Sequence, residues 1–305
     1  MTGDRPRIAI SGASGYIGSL LLRRFEDQGA TVVALVRSRG ITSSARRHYD
    51  MAEPPPSDLL AGVDVLVHCG WDLSLVDRDA AWSVNVVGTE RLLDLARRSG
   101  LERVVFISSM SAFDGTRQLY GRTKLAAERA AFDNGAAVLR LGLVYGQGWG
   151  GMAGSLKKMV ELPVTPLVGA SSRQFTVHED DVVEAVARVA AAAAVPSVPL
   201  GIAHPDPVSF RALLEGIAGA AGAAPRFVPF PWQLLYGGLR VGEVLGLPLP
   251  FRAESLLGLV HSAPFVPNTD QVHALGIHLR PFDLAPPPRP DGADTSIPGL
   301  GADSA

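Results

Sequence analysis

The chain has 305 residues, 47% apolar and 19% charged, so it can bury a large core as one large or two coupled domains. A net charge of −2 gives no basic field for nucleic acid or an anionic membrane, and neither partner is expected. No apolar stretch reaches about 18 residues and the N-terminus is polar, so we expect a cytoplasmic protein without a membrane span or signal peptide. The single cysteine excludes an internal disulfide and a cysteine metal cluster, and no metal site is predicted.

A glycine-rich turn joins the first predicted strand, residues 7–10, to a helical pattern over 20–27. Glycines let the backbone approach a pyrophosphate closely, and the N–H groups at a helix start attract its negative charge. The spacing is looser than the general G-x-G-x-x-G fingerprint, because a serine occupies the middle position. The predicted cofactor contacts in this turn are Gly12, Ser14, Gly15, Tyr16, Ile17 and Gly18.

The second predicted strand, 31–36, is followed by Arg37, which lies 19 residues after Gly18. An acidic residue about 20 positions after the glycines would accept the ribose hydroxyls of NAD, whereas arginine accommodates the 2′-phosphate of NADP. Arg37 offers a planar fork for phosphate, and Ser38 follows it. The pattern favours NADP. The alternatives are NAD as cofactor and a solvated basic turn at Arg37.

Strand and helix patterns alternate over the first half of the chain, which predicts a doubly wound parallel sheet with helices on both faces. Residues 46–51 are a candidate for one short extra strand. The further strands are predicted at 63–68, 103–108 and 136–140, and the helices include 77–99 and 118–134.

Tyr120 and Lys124 lie one helical turn apart and follow a serine-bearing apolar strand. Residues i and i+4 lie above one another on a helix, so the ammonium can sit beside the phenol. A nearby cation lowers the pKa of a phenol, which then exchanges a proton with a carbonyl or alcohol oxygen near neutral pH. Together with the glycine turn, the pair indicates nicotinamide-dependent carbonyl chemistry.

These motifs, in this order, resemble the extended short-chain dehydrogenase/reductase family of the NAD-dependent epimerase/dehydratase type. The resemblance covers about residues 7–280. It rests on the glycine turn and on the stretches 62–68, 85–89, 103–109, 120–124, 140–146 and 175–183.

The resemblance implies that Tyr120 donates the proton, that Ser109 holds and polarises the substrate oxygen, and that Lys124 lowers the tyrosine pKa and binds the nicotinamide ribose. Ser108 and Ser111 are the alternatives to Ser109. The cofactor itself supplies the hydride. Further cofactor contacts implied by the resemblance are Asp50, His68, Cys69, Gly70 and Asn85.

Asn85 and His178 are interpreted mainly as structural residues, since a polar side chain at the start of a helix usually caps it. Trp71 and Asp72, directly after the strand at 63–68, line the substrate mouth or pack within a loop.

Departures from the family pattern make some substrates and reactions of the family less expected here. Tyr120 lies only 11 positions after Ser109, which is a short interval for enzymes of nucleotide sugars, and Met110 and Ser111 stand where the sugar dehydratases carry an Asp-Glu pair. Dehydration is therefore not expected. Arg173 is displaced by one residue from the family arginine that binds a substrate diphosphate.

After about residue 145 the regular alternation of strand and helix patterns ends. We predict a dinucleotide-binding domain over 1–145 with returning segments near 175–205, a smaller substrate-binding lobe over 146–284 and a flexible tail over 285–305. The apolar stretch 227–251 shapes the substrate pocket or serves helix packing. A homodimer through the helices at 77–99 and 118–134 is an open expectation.

Three functions fit the sequence. The first is an NAD(P)-dependent oxidoreductase that interconverts a ketone and a secondary alcohol on a small molecule, either a natural product or a nucleotide sugar. The second is a nucleotide-sugar epimerase with tightly held NAD, and the third is a non-catalytic NADP-sensing or scaffold protein. Arg37 favours the reductase, because an epimerase does not need the reducing NADP pool.

Overall fold

The computed structural model describes residues 6–38, 45–247, 249 and 252–284. The predicted flexible tail and Phe251 lie outside these residues. The strands are β1 (Arg7–Ser11), β2 (Thr31–Val36), β3 (Arg46–His48), β4 (Val65–His68), β5 (Arg103–Ser109), β6 (Ala137–Leu141), β7 (Leu143–Tyr145), β8 (Val164–Leu167), β9 (Arg173–Gln174), β10 (Thr176–His178), β11 (Leu200–Ile202), β12 (Val208–Ser209) and β13 (Arg226–Pro229).

Helices cover much of the remaining described chain. They are α1 (Tyr16–Asp27), α2 (Arg78–Ala81), a π-helical segment (Trp82–Val87), α3 (Gly88–Arg98), α4 (Leu119–Asp133), α5 (Gly151–Val160), α6 (Glu179–Ala191), α7 (Phe210–Ala220), α8 (Trp232–Val244), α9 (Ala253–Val260) and α10 (Thr269–Ala274).

Seven parallel strands form the main sheet in the order β11-β6-β5-β4-β1-β2-β3. The chain winds outward from β1 in both directions, as in doubly wound dinucleotide-binding folds. The predicted fold class is confirmed, and the five predicted strands are present with ends that differ by at most two residues. The candidate extra strand at 46–51 is present as β3, which ends three residues earlier, at His48. Parallel strands are buried on both faces, which explains their continuous apolar runs.

The two faces of the sheet carry separate apolar cores. Ile8 and Ile10 of β1 pack towards α1 and α6, whereas Ala9 between them packs towards α3 and α4. Alternate side chains of a strand point to opposite faces, so one strand serves both cores. The carboxyl ends of the strands are thereby fixed between two helical layers.

A third apolar core lies in the smaller C-terminal lobe. It joins α5, α7, α8 and α9 and includes the fully buried Leu156 and Phe210. Small sheets link this region: β13 pairs with β8, and β12 pairs with β9. The chain also returns to the main sheet, since β11 lies beside β6. No helix among the described residues is long and apolar enough to cross a membrane.

Candidate active site

The glycine turn forms a cradle that no side chain could share. Gly12 has φ +67°, and a Cβ added there would lie 2.7 Å from the Gly70 backbone. A Cβ on Gly18 would lie 2.2 Å from the Gly12 carbonyl oxygen. Helix α1 begins here without a side-chain cap, so its first amide groups are open to an anion. These residues fit the pyrophosphate of a dinucleotide.

The other residues predicted in this turn have different positions. Ser14 is exposed, and Ile17 packs partly on the core beneath the sheet. The Tyr16 hydroxyl donates a 2.9 Å hydrogen bond to Glu179 at the start of α6. Burial, followed by that carboxylate, raises the pKa of Tyr16, so the phenol stays protonated.

Arg37 directly follows β2 at the same edge of the sheet. Its guanidinium is 72% exposed and forms a 3.1 Å ion pair with Asp72, whose pKa is lowered mainly by the Ser74 hydroxyl. Ser38 is also exposed. Because its guanidinium is exposed, Arg37 stays accessible from solvent although it is paired with Asp72.

His68 lies beneath the cradle and does not face the crevice. Its Nδ1 is 2.5 Å from the Ser11 hydroxyl and its Nε2 is 2.9 Å from the Thr89 hydroxyl. Because Thr89 donates to the Asn85 carbonyl, its oxygen accepts from Nε2, which assigns Nδ1 as the acceptor from Ser11. Burial lowers the pKa of His68 to about 3, so the ring is neutral. This side chain supports the strand ends.

Asn85 holds the loop after β4. Its Oδ1 accepts from the Asp72 amide at 2.7 Å, and its Nδ2 donates to the Asp72 carbonyl at 3.0 Å. It lies in the π-helical segment, a local distortion frequent at functional sites. The Asn85 side chain therefore clamps a loop and does not cap a helix, and its contact with the cofactor stays a prediction. His178 does cap α6, since its Nδ1 accepts from the Asp180 amide.

Two further predicted cofactor contacts flank this loop. Cys69 is partly buried, and burial raises the pKa of its thiol to about 12, so it is neutral. The Asp50 carboxylate accepts from the Ala52 amide at 3.0 Å within a turn.

Ser109 and Tyr120 meet at the carboxyl end of β5. Ser109 is the last residue of β5 and Tyr120 the second of α4, so their side chains lie near each other. Burial raises the pKa of Tyr120, and the nearby Ser109 hydroxyl opposes that rise. The sequence predicted a pKa lowered by Lys124. That prediction is wrong in direction, because the loss of hydration in the fold outweighs the other effects.

Lys124 is buried under aromatic rings. Its ammonium donates to the Ile107 carbonyl at 2.7 Å and lies 3.8 Å from the centre of the Trp71 ring and 4.7 Å from that of Phe106. Burial lowers the pKa of Lys124 to about 7, although the Glu128 carboxylate opposes the shift. Trp71 also meets Tyr120 edge-on at 6.2 Å, so its indole covers both predicted catalytic side chains.

The alternative serines have other contacts. Ser108 is buried and donates to Glu128 at 2.5 Å, and Glu128 forms a two-pronged ion pair with Arg140 at 2.6 and 2.9 Å. The Ser111 amide donates to the Ser109 hydroxyl at 3.1 Å. Ser109 is therefore the serine that the fold brings to Tyr120.

Comparison with known proteins agrees with this architecture. The model of the NAD dependent epimerase/dehydratase family matches residues 8–199, more than half of the chain. The chain belongs to this family. It is similar to the ceramide reductase of Caulobacter vibrioides, with 26% identity over 75% of each chain.

Solved structures share the fold. The protein gox2253 superposes with a TM-score of 0.70 at 21% identity, over 92% of this chain and 94% of that one. The UDP-glucose 4-epimerase of Thermus thermophilus, solved with NAD, gives 0.67 at 19% identity, over 91% and 95% of the two chains. Membership in the NAD dependent epimerase/dehydratase family identifies the chain as an NAD(P)-dependent enzyme and leaves the non-catalytic interpretation without support.

The sequence motifs did not predict the contacts of two acidic residues near the site. Glu128 anchors β5 and β6 through Ser108 and Arg140, and Glu179 accepts from Tyr16 and from the amides of Gln147 and Gly148. A signal for Glu128 exists in the sequence: it lies four residues after Lys124 and therefore on the same helix face.

A cavity of about 450 Å³ borders the loop between Ser109 and Tyr120. Its polar lining includes Arg117, Arg173 and His261, and no ion pair with either arginine is present among the described residues. Residues 227–247 do not line this cavity. Leu239 of α8 is buried in the lobe core, which agrees with the helix-packing interpretation of this stretch.

Within the described chain, His, Cys, Asp and Glu side chains form no cluster that could hold a metal.

Proposed function

We propose that this enzyme is a reductase that interconverts a ketone and a secondary alcohol and prefers NADP(H). Tyr120 exchanges the proton with the substrate oxygen, Ser109 hydrogen-bonds that oxygen, and Lys124 supports the site from below. NAD is the alternative cofactor, and the bound nicotinamide supplies or accepts the hydride.

The observation that carries the proposal is that Ser109, at the end of β5, and Tyr120, at the start of α4, come together at the edge of the sheet that also holds the glycine cradle. A ketone that accepts hydride develops negative charge on oxygen, so it needs a proton donor and a hydrogen-bond donor within about 3 Å. These two hydroxyls are such a pair. A raised pKa keeps Tyr120 protonated near neutral pH, as proton donation during reduction requires.

Lys124 has a positioning part in the proposal. Its ammonium on the Ile107 carbonyl fixes α4 against β5, which are the two elements that deliver Tyr120 and Ser109. With a pKa near 7, it supplies a charge that changes in the working pH range.

Arg37 supports NADP as the preferred cofactor. It is exposed at the end of β2, at the position where an acidic residue would accept the ribose hydroxyls of NAD. A guanidinium binds a phosphate monoester through two parallel hydrogen bonds.

A nucleotide-sugar epimerase is the second candidate. The observation in its favour is the cavity with Arg117 and Arg173, because two guanidinium groups that have no ion pair among the described residues suit an anionic substrate. The relatives point to different substrates: one is named a ceramide reductase and another is a UDP-glucose 4-epimerase. The substrate of this enzyme is proposed only as a small molecule with a ketone or secondary alcohol.

The experiment compares wild type with Tyr120→Phe and Ser109→Ala. NADPH and NADH binding are titrated first, and turnover on a panel of ketones and nucleotide sugars is then followed at the nicotinamide absorbance. Tyr120→Phe is expected to keep cofactor binding and lose about 10²–10⁴-fold in turnover, since general acid catalysis contributes that much. Full turnover in Tyr120→Phe would refute the mechanism, and NAD that stays bound through purification would favour the epimerase.

A further inference from the structure

Helix α9 of the smaller lobe reaches the first turn of the helix that carries Tyr120. The Glu254 carboxylate of α9 accepts a 2.7 Å hydrogen bond from the Leu119 amide, the first of α4, although the two residues are 135 positions apart in the sequence. Leu119 directly precedes Tyr120. A residue of the lobe therefore contacts the backbone next to the proposed proton donor.

The start of α4 is not capped by the residue before it. The first amides of a helix have no partner inside the helix, and the side chain of the preceding residue often satisfies one of them. In α4 that residue is Gln118, whose side chain makes no capping hydrogen bond among the described residues. It is buried against α9, with Oε1 2.9 Å from the position that a Cβ on Gly258 would take. Glu254 therefore supplies the cap from another part of the chain.

Helix α9 is itself fixed in the lobe. Ala253, Leu256 and Leu259 are buried in the lobe core. The Ala253 amide donates to Glu243 of α8 at 2.9 Å, and the Leu259 carbonyl accepts from Gln174 at 2.7 Å. Because both ends of α9 are held, its first turn presents the Glu254 carboxylate from a defined position.

A second bond connects the start of α9 to the loop that packs on Tyr120. Arg252, the residue before α9, donates to the Ser74 carbonyl at 3.1 Å. Ser74 lies in the loop after β4 that also carries Trp71, whose ring meets Tyr120 edge-on at 6.2 Å. The start of α9 therefore contacts both the helix that carries Tyr120 and the loop beside it.

The cavity of about 450 Å³ lies at the same junction. Arg117 lines it just before α4, and Val260 and His261 line it at the end of α9. A molecule bound in this cavity would contact chain segments that are continuous with both helices. The bond between Glu254 and Leu119 joins the two helices at the wall of this cavity.

We propose that Glu254 is a positioning residue for proton transfer, because its carboxylate holds the first turn of α4 and, with it, the Tyr120 hydroxyl. The inference rests on the proposed function, in which Tyr120 exchanges a proton with the substrate oxygen. Helix ends fray, and Tyr120 lies in the turn that would fray without the cap. A negative charge at a helix start is also favourable, because the partial charge of the amides there is positive. Proton transfer needs donor and acceptor within about 3 Å, so a small displacement of this turn slows the chemical step.

A purely structural tie between the lobe and the sheet is the alternative role of Glu254. The two roles differ in the kinetic constant that changes. Loss of a tie loosens the lobe and weakens substrate binding, which raises KM. Loss of positioning lowers kcat and kcat/KM together and leaves KM unchanged.

The test compares Glu254→Ala and Glu254→Gln with wild type, using NADPH and the ketone of the substrate panel that wild type reduces fastest. Glu254→Ala is expected to lower kcat about ten-fold, to leave KM and NADPH binding unchanged, and to increase the solvent deuterium isotope effect on kcat. Glu254→Gln keeps an oxygen that can accept from the Leu119 amide, so its kcat is expected to stay within about three-fold of wild type. Hydrogen exchange of a peptide over residues 116–124 reports on the first turn of α4 and is expected to be faster in Glu254→Ala.

The matched control is Ser209→Ala, which removes a cap of the same kind elsewhere in the lobe. The Ser209 hydroxyl accepts from the Ala212 amide at 3.1 Å at the start of α7. This variant is expected to keep the kcat of wild type and its exchange rate over 116–124. Circular dichroism and NADPH binding confirm that each variant is folded.

The role of Glu254 is overturned if Glu254→Ala keeps the kcat of wild type, if it raises KM alone, if exchange over 116–124 is unchanged, or if Ser209→Ala lowers kcat equally. Full turnover in Tyr120→Phe would refute the proposed reaction and this inference with it. Loss of turnover in Tyr120→Phe together with full turnover in Glu254→Ala would overturn the role of Glu254 alone.

Discussion

The carboxyl edge of the main sheet and the lobe around α8 are stabilised in different ways. At the sheet edge, two groups of buried polar side chains form hydrogen-bonded networks: Ser11 with His68 and Thr89, and Ser108 with Glu128 and Arg140. The lobe core consists of apolar side chains, and the outer face of α8 is apolar too. Directional bonds fix a few positions accurately, whereas apolar contacts are non-directional and tolerate change. The accurate region holds the predicted chemistry, and the tolerant region leaves apolar side chains of α8 exposed.

The largest expected effect tests the buried network. Glu128→Ala leaves the Arg140 guanidinium, 14% exposed, without its carboxylate. Breaking a buried ion pair by removing one partner costs about 3–5 kcal/mol. Urea unfolding of the variant measures this loss, and Glu215→Ala, which removes an exposed ion pair with Arg211, is the control with little expected change. An equal effect of both variants would contradict the contrast between the two regions.

The next effect tests the cofactor edge. Arg37→Ala removes the guanidinium at the end of β2 and is expected to weaken NADPH binding about 10- to 100-fold while NADH binding stays unchanged. Isothermal titration with both dinucleotides measures the ratio. Arg98→Ala, exposed on α3, serves as the control for loss of a surface charge. If both dinucleotides bind Arg37→Ala as they bind wild type, NADP preference does not come from Arg37.

Lys124 gives a pH-dependent effect. Its pKa is about 7 in the folded chain and 10.5 ordinarily, so between these values the unfolded chain binds a proton that the folded chain does not. The stability of wild type therefore gains up to about 1.4 kcal/mol per pH unit from this group over that window and nothing below it. Lys124→Met lacks the contribution.

Unfolding free energies of both proteins from pH 6 to pH 10 check this prediction. The stability of Lys124→Met minus that of wild type is expected to be constant below about pH 7 and to fall steadily above it. A difference independent of pH would show that burial does not lower the pKa of Lys124.

The smallest effect concerns the exposed side of α8. Leu245→Gln replaces a side chain that is 67% exposed, so the free energy of unfolding is expected to change by less than about 0.5 kcal/mol. Leu256→Gln, buried in the neighbouring α9, is the contrasting variant and is expected to destabilise strongly. A large loss in Leu245→Gln would mean that α8 is packed on both sides within the chain.

The sequence by itself determined the doubly wound sheet and the order of its motifs, because parallel strands need continuous apolar runs and a glycine cradle needs residues without side chains. It also placed Tyr120, Lys124 and Ser109 at one edge, since they follow or begin elements whose ends must meet there. Only the tertiary structure decided which serine meets the tyrosine, that burial raises the pKa of Tyr120, and that Trp71 covers Lys124. These depend on desolvation and on contacts between residues far apart in the chain. The exposed side of α8 could not be predicted for the same reason. An apolar helix is expected to be buried until the fold shows which of its sides has no neighbour among the described residues.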